Sequence, residues 1–253
     1  MSNDNASRSV LILGATSAMA RATAAAFAED GHPIILGGHD AAENDLIAAD
    51  LRVRYGGPVY TVPFDARDFP SHAHFWEDCT AVAGAAPHGV LIFFGYMVEQ
   101  DVAQEQFAEA RATISINLTA VISVLEPFAR VCEQRREGFI GVVSSVAGDR
   151  GRQSNYIYGA SKAGLSAYTQ GLRNRLHKVG VPVTTIKPGF VDTKMTFGLP
   201  LPKPLVASPA AAGKAIHRAV SRGQDVAYVP FFWRYIMLII RSIPEWQFKK
   251  MKL

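Results

Sequence analysis

A single α/β domain built on a doubly wound, seven-stranded parallel sheet is what the sequence predicts, and three observations carry it. Short runs rich in Val, Ile and Leu alternate with alanine-rich segments whose apolar residues recur at helical spacing, the pattern of repeated strand-helix-strand units. The first apolar run turns at Gly14 into small residues that open a helix. No repeat or low-complexity linker divides the 253 residues, of which 49% are apolar, and a chain of this size closes one large core.

In chain order the strands are expected at Val10 to Leu13, Ile34 to Leu36, Val59 to Val62, Val90 to Phe93, Ile140 to Ser144, Val183 to Ile186 and Val226 to Val229. Helices fall near 18–29, 41–54, 71–83, 103–135, 155–179 and 209–221, and an apolar, basic helix over 231–253 ends the same domain. Leu199-Pro-Leu-Pro-Lys-Pro204 cannot be regular structure, since proline lacks an N–H to donate, so Met195 to Val206 reads as an apolar loop suited to a lid. Met1 to Arg8 has none of the features of a signal peptide and reads as a loose tail.

Cys79 and Cys132 are the only two cysteines and lack partners at metal-ligand spacing. Neither a disulfide framework nor a metal site is expected, and a reducing, cytoplasmic setting fits. The net charge of +4 is concentrated: residues 231–253 hold Arg234, Arg241, Lys249, Lys250 and Lys252 against Glu245, so the preceding residues balance. A neutral body argues against nucleic acid, which needs clustered cations to displace phosphate counterions.

Ligands of open parallel sheets sit beyond the carboxyl ends of the strands. There, Tyr158-Gly-Ala-Ser-Lys162 sets a phenol and an ammonium one helical turn apart on one face. A free phenol titrates near pH 10, and a neighbouring cation is expected to draw it towards neutrality, where it exchanges protons with a substrate. Ser145, at the end of the fifth strand, can hydrogen-bond the substrate oxygen as charge develops. By composition the Tyr-x-x-x-Lys pair is expected by chance roughly 0.3 times, and with the serine thirteen residues earlier roughly 0.02 times, so the triplet is the specific signal. Ser144 is the rival serine, set on the opposite face because successive strand side chains alternate in direction.

In this triplet and its order along residues 10–193, the chain resembles the short-chain dehydrogenases/reductases. That resemblance implies a Rossmann-type fold and hydride transfer between a nicotinamide cofactor and a carbonyl/hydroxyl pair. It implies a cofactor turn at Gly14-Ala-Thr-Ser-Ala-Met-Ala20, with Gly14, Thr16, Ser17 and Met19 at the dinucleotide, although alanine replaces glycine at 18 and 20. Asp65 and Ala66 then face adenine, and Gly95 closes Ile92-Phe93-Phe94-Gly95 beside the cofactor. Asn117 joins Ser145, Tyr158 and Lys162 as the fourth catalytic residue, with Tyr158 and Lys162 also touching cofactor. Pro188, Val191 and Thr193 of Lys187-Pro-Gly-Phe-Val-Asp-Thr193 hold the carboxamide. Gly37-Gly38-His39 offers no acid to grip ribose hydroxyls, so NADP(H) is favoured, with His39 near the 2′-phosphate and NAD(H) the alternative.

The ending and the run from Ser145 through Arg150 and Arg152 to Lys162 resemble members of the family that reduce a polyprenylphosphate-linked keto-pentose. Arg150 and Arg152 then hold phosphate, to which guanidinium forks are matched, solvated loop arginines being the alternative. The helix from Phe231 is broken by Arg234 and falls short of the roughly eighteen apolar residues that span a bilayer. It suits peripheral contact with the inner face of a membrane, or else a core or subunit-interface position. The competing readings are a reductase of another soluble ketone or acyl substrate and a non-catalytic dinucleotide sensor. A homodimer or homotetramer is expected.

Overall fold

The computed structural model describes residues 5–193, 196, 198 and 202–251. Seven parallel strands form one sheet: β1 (Val10–Leu13), β2 (Ile34–Gly38), β3 (Val59–Pro63), β4 (Gly89–Ile92), β5 (Phe139–Val143), β6 (Val183–Pro188) and, last in the chain, β9 (Val226–Val229). Their order is β3-β2-β1-β4-β5-β6-β9, so the chain winds outwards in both directions from a crevice between β1 and β4. A second, two-stranded sheet pairs β7 (Phe190–Val191) with β8 (Val206–Ala207).

Alternation along the strands divides the core between the two faces. Val10 and Ile12 of β1 meet α1 (Ala18–Glu29), α2 (Ala41–Tyr55) and α8 (Pro209–Ser221) through Phe27, Leu51 and Ile216. Leu11 and Leu13 meet the opposite layer, α3 (Phe75–Ala83), α6 (Ala120–Arg135) and α7 (Tyr156–His177), through Phe75, Phe128 and Leu172. Burying Phe27 or Phe128 contributes about 1.5–3 kcal/mol each. Asp40 starts α2 by accepting the Glu43 N–H at 3.0 Å, and Gly56 ends it in the left-handed region that glycine adopts freely.

Four expectations are corrected. The helix placed at 103–135 is interrupted: α4 (Gln100–Glu105) and α5 (Phe107–Ile114) are separated by extended Gln106, and a π-helical turn, Ser115–Thr119, precedes α6. Apolar periodicity runs through all of them, which hides the breaks. The segment 71–83 begins as a 3-10 turn, Phe69–Ala73, with Pro70 at its start. The ending is two helices, α9 (Trp233–Ser242) and α10 (Glu245–Phe248), because Pro244 has no N–H to give and holds Ile243 extended. Asn5–Ser7 is a 3-10 turn rather than loose chain. Of the expected lid, Met195, Phe197, Leu199, Pro200 and Leu201 lie outside the described residues, as do Met1 to Asp4, Lys252 and Leu253; Lys203–Leu205 forms a 3-10 turn before β8. Phe107–Arg135 has the length and composition to cross a membrane, but half of its apolar stretch is buried in the core.

Candidate active site

β5 delivers two serines to α7, with different fates. Ser144 is buried, donates to the Lys162 carbonyl at 2.9 Å and pairs with Ser166 Oγ at 2.8 Å, so it pins strand to helix. Ser145 is half-buried, accepts the Ala147 N–H at 3.1 Å and has its hydroxyl near enough to the Tyr158 phenol to lower its pKa. Two glycines let the turn after Ser145 lie backbone-to-backbone on α7. A Cβ on Gly148 would sit 2.7 Å from Ala163 N and from the Lys162 carbonyl carbon, and one on Gly159 2.9 Å from the Ala147 carbonyl oxygen.

Lys162 is wholly buried; its Nζ donates to the Val143 carbonyl at 3.0 Å and lies 5.8 Å from the Tyr158 ring centre. Burial pushes this ammonium down to about 8, because no opposite charge among the described residues compensates for the lost water. The same burial pushes the Tyr158 phenol up to about 12, with the Ser145 hydrogen bond pulling the other way. Desolvation thus outweighs the pull of Lys162 on its own, the oxidised nicotinamide ring being the second positive charge expected to draw the phenol towards neutrality. A phenol held protonated at neutral pH is equipped to give a proton to a carbonyl oxygen.

Asn117 lies in the π-helical turn, buried, and its amide is clamped. It donates to the Tyr96 carbonyl (2.8 Å) and Ser161 Oγ (3.0 Å) and accepts the Tyr96 N–H (2.7 Å), while Ser161 donates to the Tyr158 carbonyl at 2.7 Å. A Cβ on Gly95 would stand 3.2 Å from Asn117 Oδ1 and 3.4 Å from Lys162 Nζ. The structure thus brings Gly95, Asn117, Ser145, Tyr158 and Lys162 together.

The crevice between β1 and β4 carries the cofactor candidates. Gly14 has φ +79°, and a Cβ there would meet Phe94 N at 2.5 Å, so the turn closes only without a side chain. Thr16, Ser17 and Met19 are half-buried where α1 begins; Ser17 makes no side-chain capping bond, leaving the first N–H groups of α1 to an outside acceptor. Ala20 is fully buried, a small residue at a close contact. This cradle fits a dinucleotide pyrophosphate. His39 is exposed at the end of β2, and the adjoining acid, Asp40, is occupied in capping α2. Asp65 is exposed and accepts the Arg67 N–H at 2.9 Å, beside half-buried Ala66. Pro188 is paired with Val229, while Thr196, missed in the sequence, donates to the Val191 carbonyl (2.6 Å) and accepts the Thr193 N–H (3.1 Å).

On the other side of Tyr158, the two arginines part company. Arg150 Nη1 donates to the carbonyls of Ile240 (2.8 Å), Arg241 (3.1 Å) and Ile243 (2.5 Å), and its guanidinium stacks 3.8 Å over Phe248. It caps α9, so the phosphate-holding role expected of it is corrected. Arg152 has a buried Nε without a hydrogen-bond partner and reaches the Met237 sulfur at 3.4 Å; burial lowers its pKa. Beside it Asp149 accepts from Lys187 and from Tyr228 (2.7 Å), a buried trio invisible in the sequence because its members lie on three segments. Trp233 of α9 covers Gly189 and meets Phe190 edge-on at 4.9 Å. Ser161 sat inside a motif already singled out; only the fold reveals its bond to Asn117. A groove of about 670 Å³ between α1, α2 and α8 holds none of the reacting side chains.

Residues 8–200 match the family model described as short chain dehydrogenase. An uncharacterized oxidoreductase of Mycobacterium tuberculosis is 32% identical over 98% of this chain and 99% of its own length. One of Streptomyces coelicolor is 31% identical over 96% of each. A short-chain dehydrogenase of Sphingobium yanoikuyae, solved in complex with NADPH, shares the fold at TM-score 0.75 and 24% identity, covering 94% of this chain and 97% of its own. The chain belongs to the short-chain dehydrogenase/reductase family, whose members are NAD(P)-dependent oxidoreductases acting on CH–OH groups and ketones.

Proposed function

We propose that this enzyme reduces a ketone with NADPH, and that its substrate is a phosphate-bearing, lipid-linked keto-sugar like that of decaprenylphosphoryl-2-keto-erythro-pentose reductase, which the stretch from Ser145 to Lys162 and the ending resemble. The observation that carries the substrate class is Arg152, a half-buried cation with an orphaned Nε on the loop between Ser145 and Tyr158. Such a group is completed by an anionic oxygen. NADPH is favoured because the end of β2 presents exposed His39 and no free carboxylate. Asp65, Ala66, Val191 and Thr193 flank the dinucleotide. The enzyme works in the cytoplasm as a homodimer or homotetramer and meets its substrate at the inner face of the membrane.

Reduced nicotinamide, when bound, supplies the hydride. Ser145 hydrogen-bonds the carbonyl oxygen as charge builds there, and Tyr158 gives that oxygen its proton. Lys162, with a pKa of about 8, exchanges protons readily at neutral pH and lies beside the phenol that must be reprotonated. Asn117 holds the segment after β4 against α7 and keeps Lys162 and Gly95 in register.

The commitment of Arg150 to α9 leaves one free arginine, an observation that favours the second reading, reduction of a soluble ketone or acyl substrate. NADPH and NADH oxidation against prenylphosphoryl keto-pentose and a panel of plain ketones separates them. The first reading expects NADPH to be the better cofactor and Arg152→Gln to raise KM only for the phosphate-bearing substrate. Equal KM effects on both substrates contradict it, and a clear NADH preference overturns the cofactor assignment.

A further inference from the structure

We propose that the outward face of α9 and α10 is a docking surface for an anionic lipid bilayer. α9 is two-sided. Trp233 and Met237 are buried against Val146 and Phe190, so the helix is held firmly by the body. Its other side leaves Tyr235 59%, Leu238 63% and Ile239 67% exposed, flanked by Phe231 at 74% and Trp246 at 65%. Large apolar side chains gathered on one outward face mark an interaction surface, unlike scattered single ones.

Charge selects the occupant. Arg234, Arg241, Lys249 and Lys250 are exposed around this face, and among the described residues none of them forms an ion pair. The one acid in 231–251, Glu245, is engaged by Arg150. A second copy would set these cations against themselves, whereas anionic headgroups complement them. Aromatic and aliphatic side chains ringed by Arg and Lys are the chemistry of a helix lying in the interfacial plane. With ten residues, α9 is far too short to cross.

The surface also adjoins the substrate loop. Arg150 joins that loop to the end of α9, Arg152 touches Met237, and Gln153 donates to the Met251 carbonyl at 3.5 Å. Docking through α9 and α10 therefore brings the loop between Ser145 and Tyr158 to the lipid. This deepens the lipid-linked reading and rests on it for its purpose, while the surface itself is argued from exposure and charge.

The test is co-sedimentation of the full chain with vesicles of phosphatidylglycerol and phosphatidylcholine, and of phosphatidylcholine alone, at 0.05 and 1 M salt. Binding is expected only to the anionic vesicles and only at low salt, where screening reaches beyond about 10 Å. Each basic residue near such a surface is worth about fivefold in partitioning, so Lys249→Gln with Lys250→Gln weakens binding about thirtyfold. Leu238→Ser with Ile239→Ser abolishes it, with thermal melting as the check on folding. If that pair does not fold, the Lys pair alone decides. Absence of vesicle binding at low salt overturns the proposal. So does a size-exclusion shift from dimer to monomer in Leu238→Ser/Ile239→Ser without vesicle binding, which makes the face an interface between copies. Vesicle binding without turnover of prenylphosphoryl keto-pentose leaves docking standing and removes the substrate reading; turnover in detergent without vesicle binding does the reverse.

Discussion

Replacing Arg150 by Ala separates a structural clamp from a substrate ligand. One nitrogen, Nη1, approaches three carbonyls at the end of α9 at 2.5–3.1 Å, but it carries two protons, so two full hydrogen bonds are counted. Bonds from a charged donor contribute about 1.5–3 kcal/mol each. The pair with Glu245 adds little, since that carboxylate is 79% exposed and screened by water. Losing about 4 kcal/mol in a domain of this size lowers the melting temperature by roughly 8–16 °C. Arg150→Lys, a point charge without the fork, recovers less than half of that. Differential scanning fluorimetry measures the shift, and steady-state kinetics on phosphate-bearing and plain ketones runs beside it. A melting temperature within 2 °C of wild type, with KM raised only for the phosphate-bearing substrate, would refute the reasoning.

Two more predictions follow from the same geometry. Lys162 is depressed from 10.5 to about 8, so the unfolded chain binds more protons between those values, and the burial penalty of about 3 kcal/mol is full below pH 8 and fades as pH rises towards 10.5. Urea unfolding should therefore show wild type gaining about 2–3 kcal/mol relative to Lys162→Met between pH 7 and pH 10; a pH-independent difference contradicts the depressed ammonium. Gly148→Ala places a methyl 2.7 Å from the backbone of α7, which must push Ser145 away from Tyr158. A displacement approaching 1 Å costs about 100-fold in kcat, and an unchanged kcat shows that the turn yields elsewhere.

The sheet was legible because its strands are short, apolar and separated by helices of ordinary length; all seven appear in the expected order, with Ile34 to Leu36 running on to Gly38. That Tyr158, Lys162 and Ser145 come together was legible because fixed spacing along one helix and one strand end sets their positions. What escaped depends on long-range partners. Arg150 reads as a loop cation until residues 240–243 fold over it, and Thr196 has no pattern of its own. The π-helical turn at Asn117 shares the apolar period of its neighbours, so only the bonds to Tyr96 mark it. For the phenol, spacing places a cation nearby but says nothing of the burial that shifts both groups.

The central claim is that Tyr158 gives the proton to the carbonyl oxygen. It is tested by single-turnover oxidation of bound NADPH by substrate in Tyr158→Phe, with NADPH affinity measured on the same protein. Removing the phenolic hydroxyl should slow hydride transfer by about 100-fold or more while leaving the NADPH Kd within about twofold, because the cradle proposed for the dinucleotide, Gly14 and the start of α1, does not include the hydroxyl. A Phe variant that keeps more than about a tenth of the wild-type rate, with its cofactor bound, contradicts the general-acid assignment.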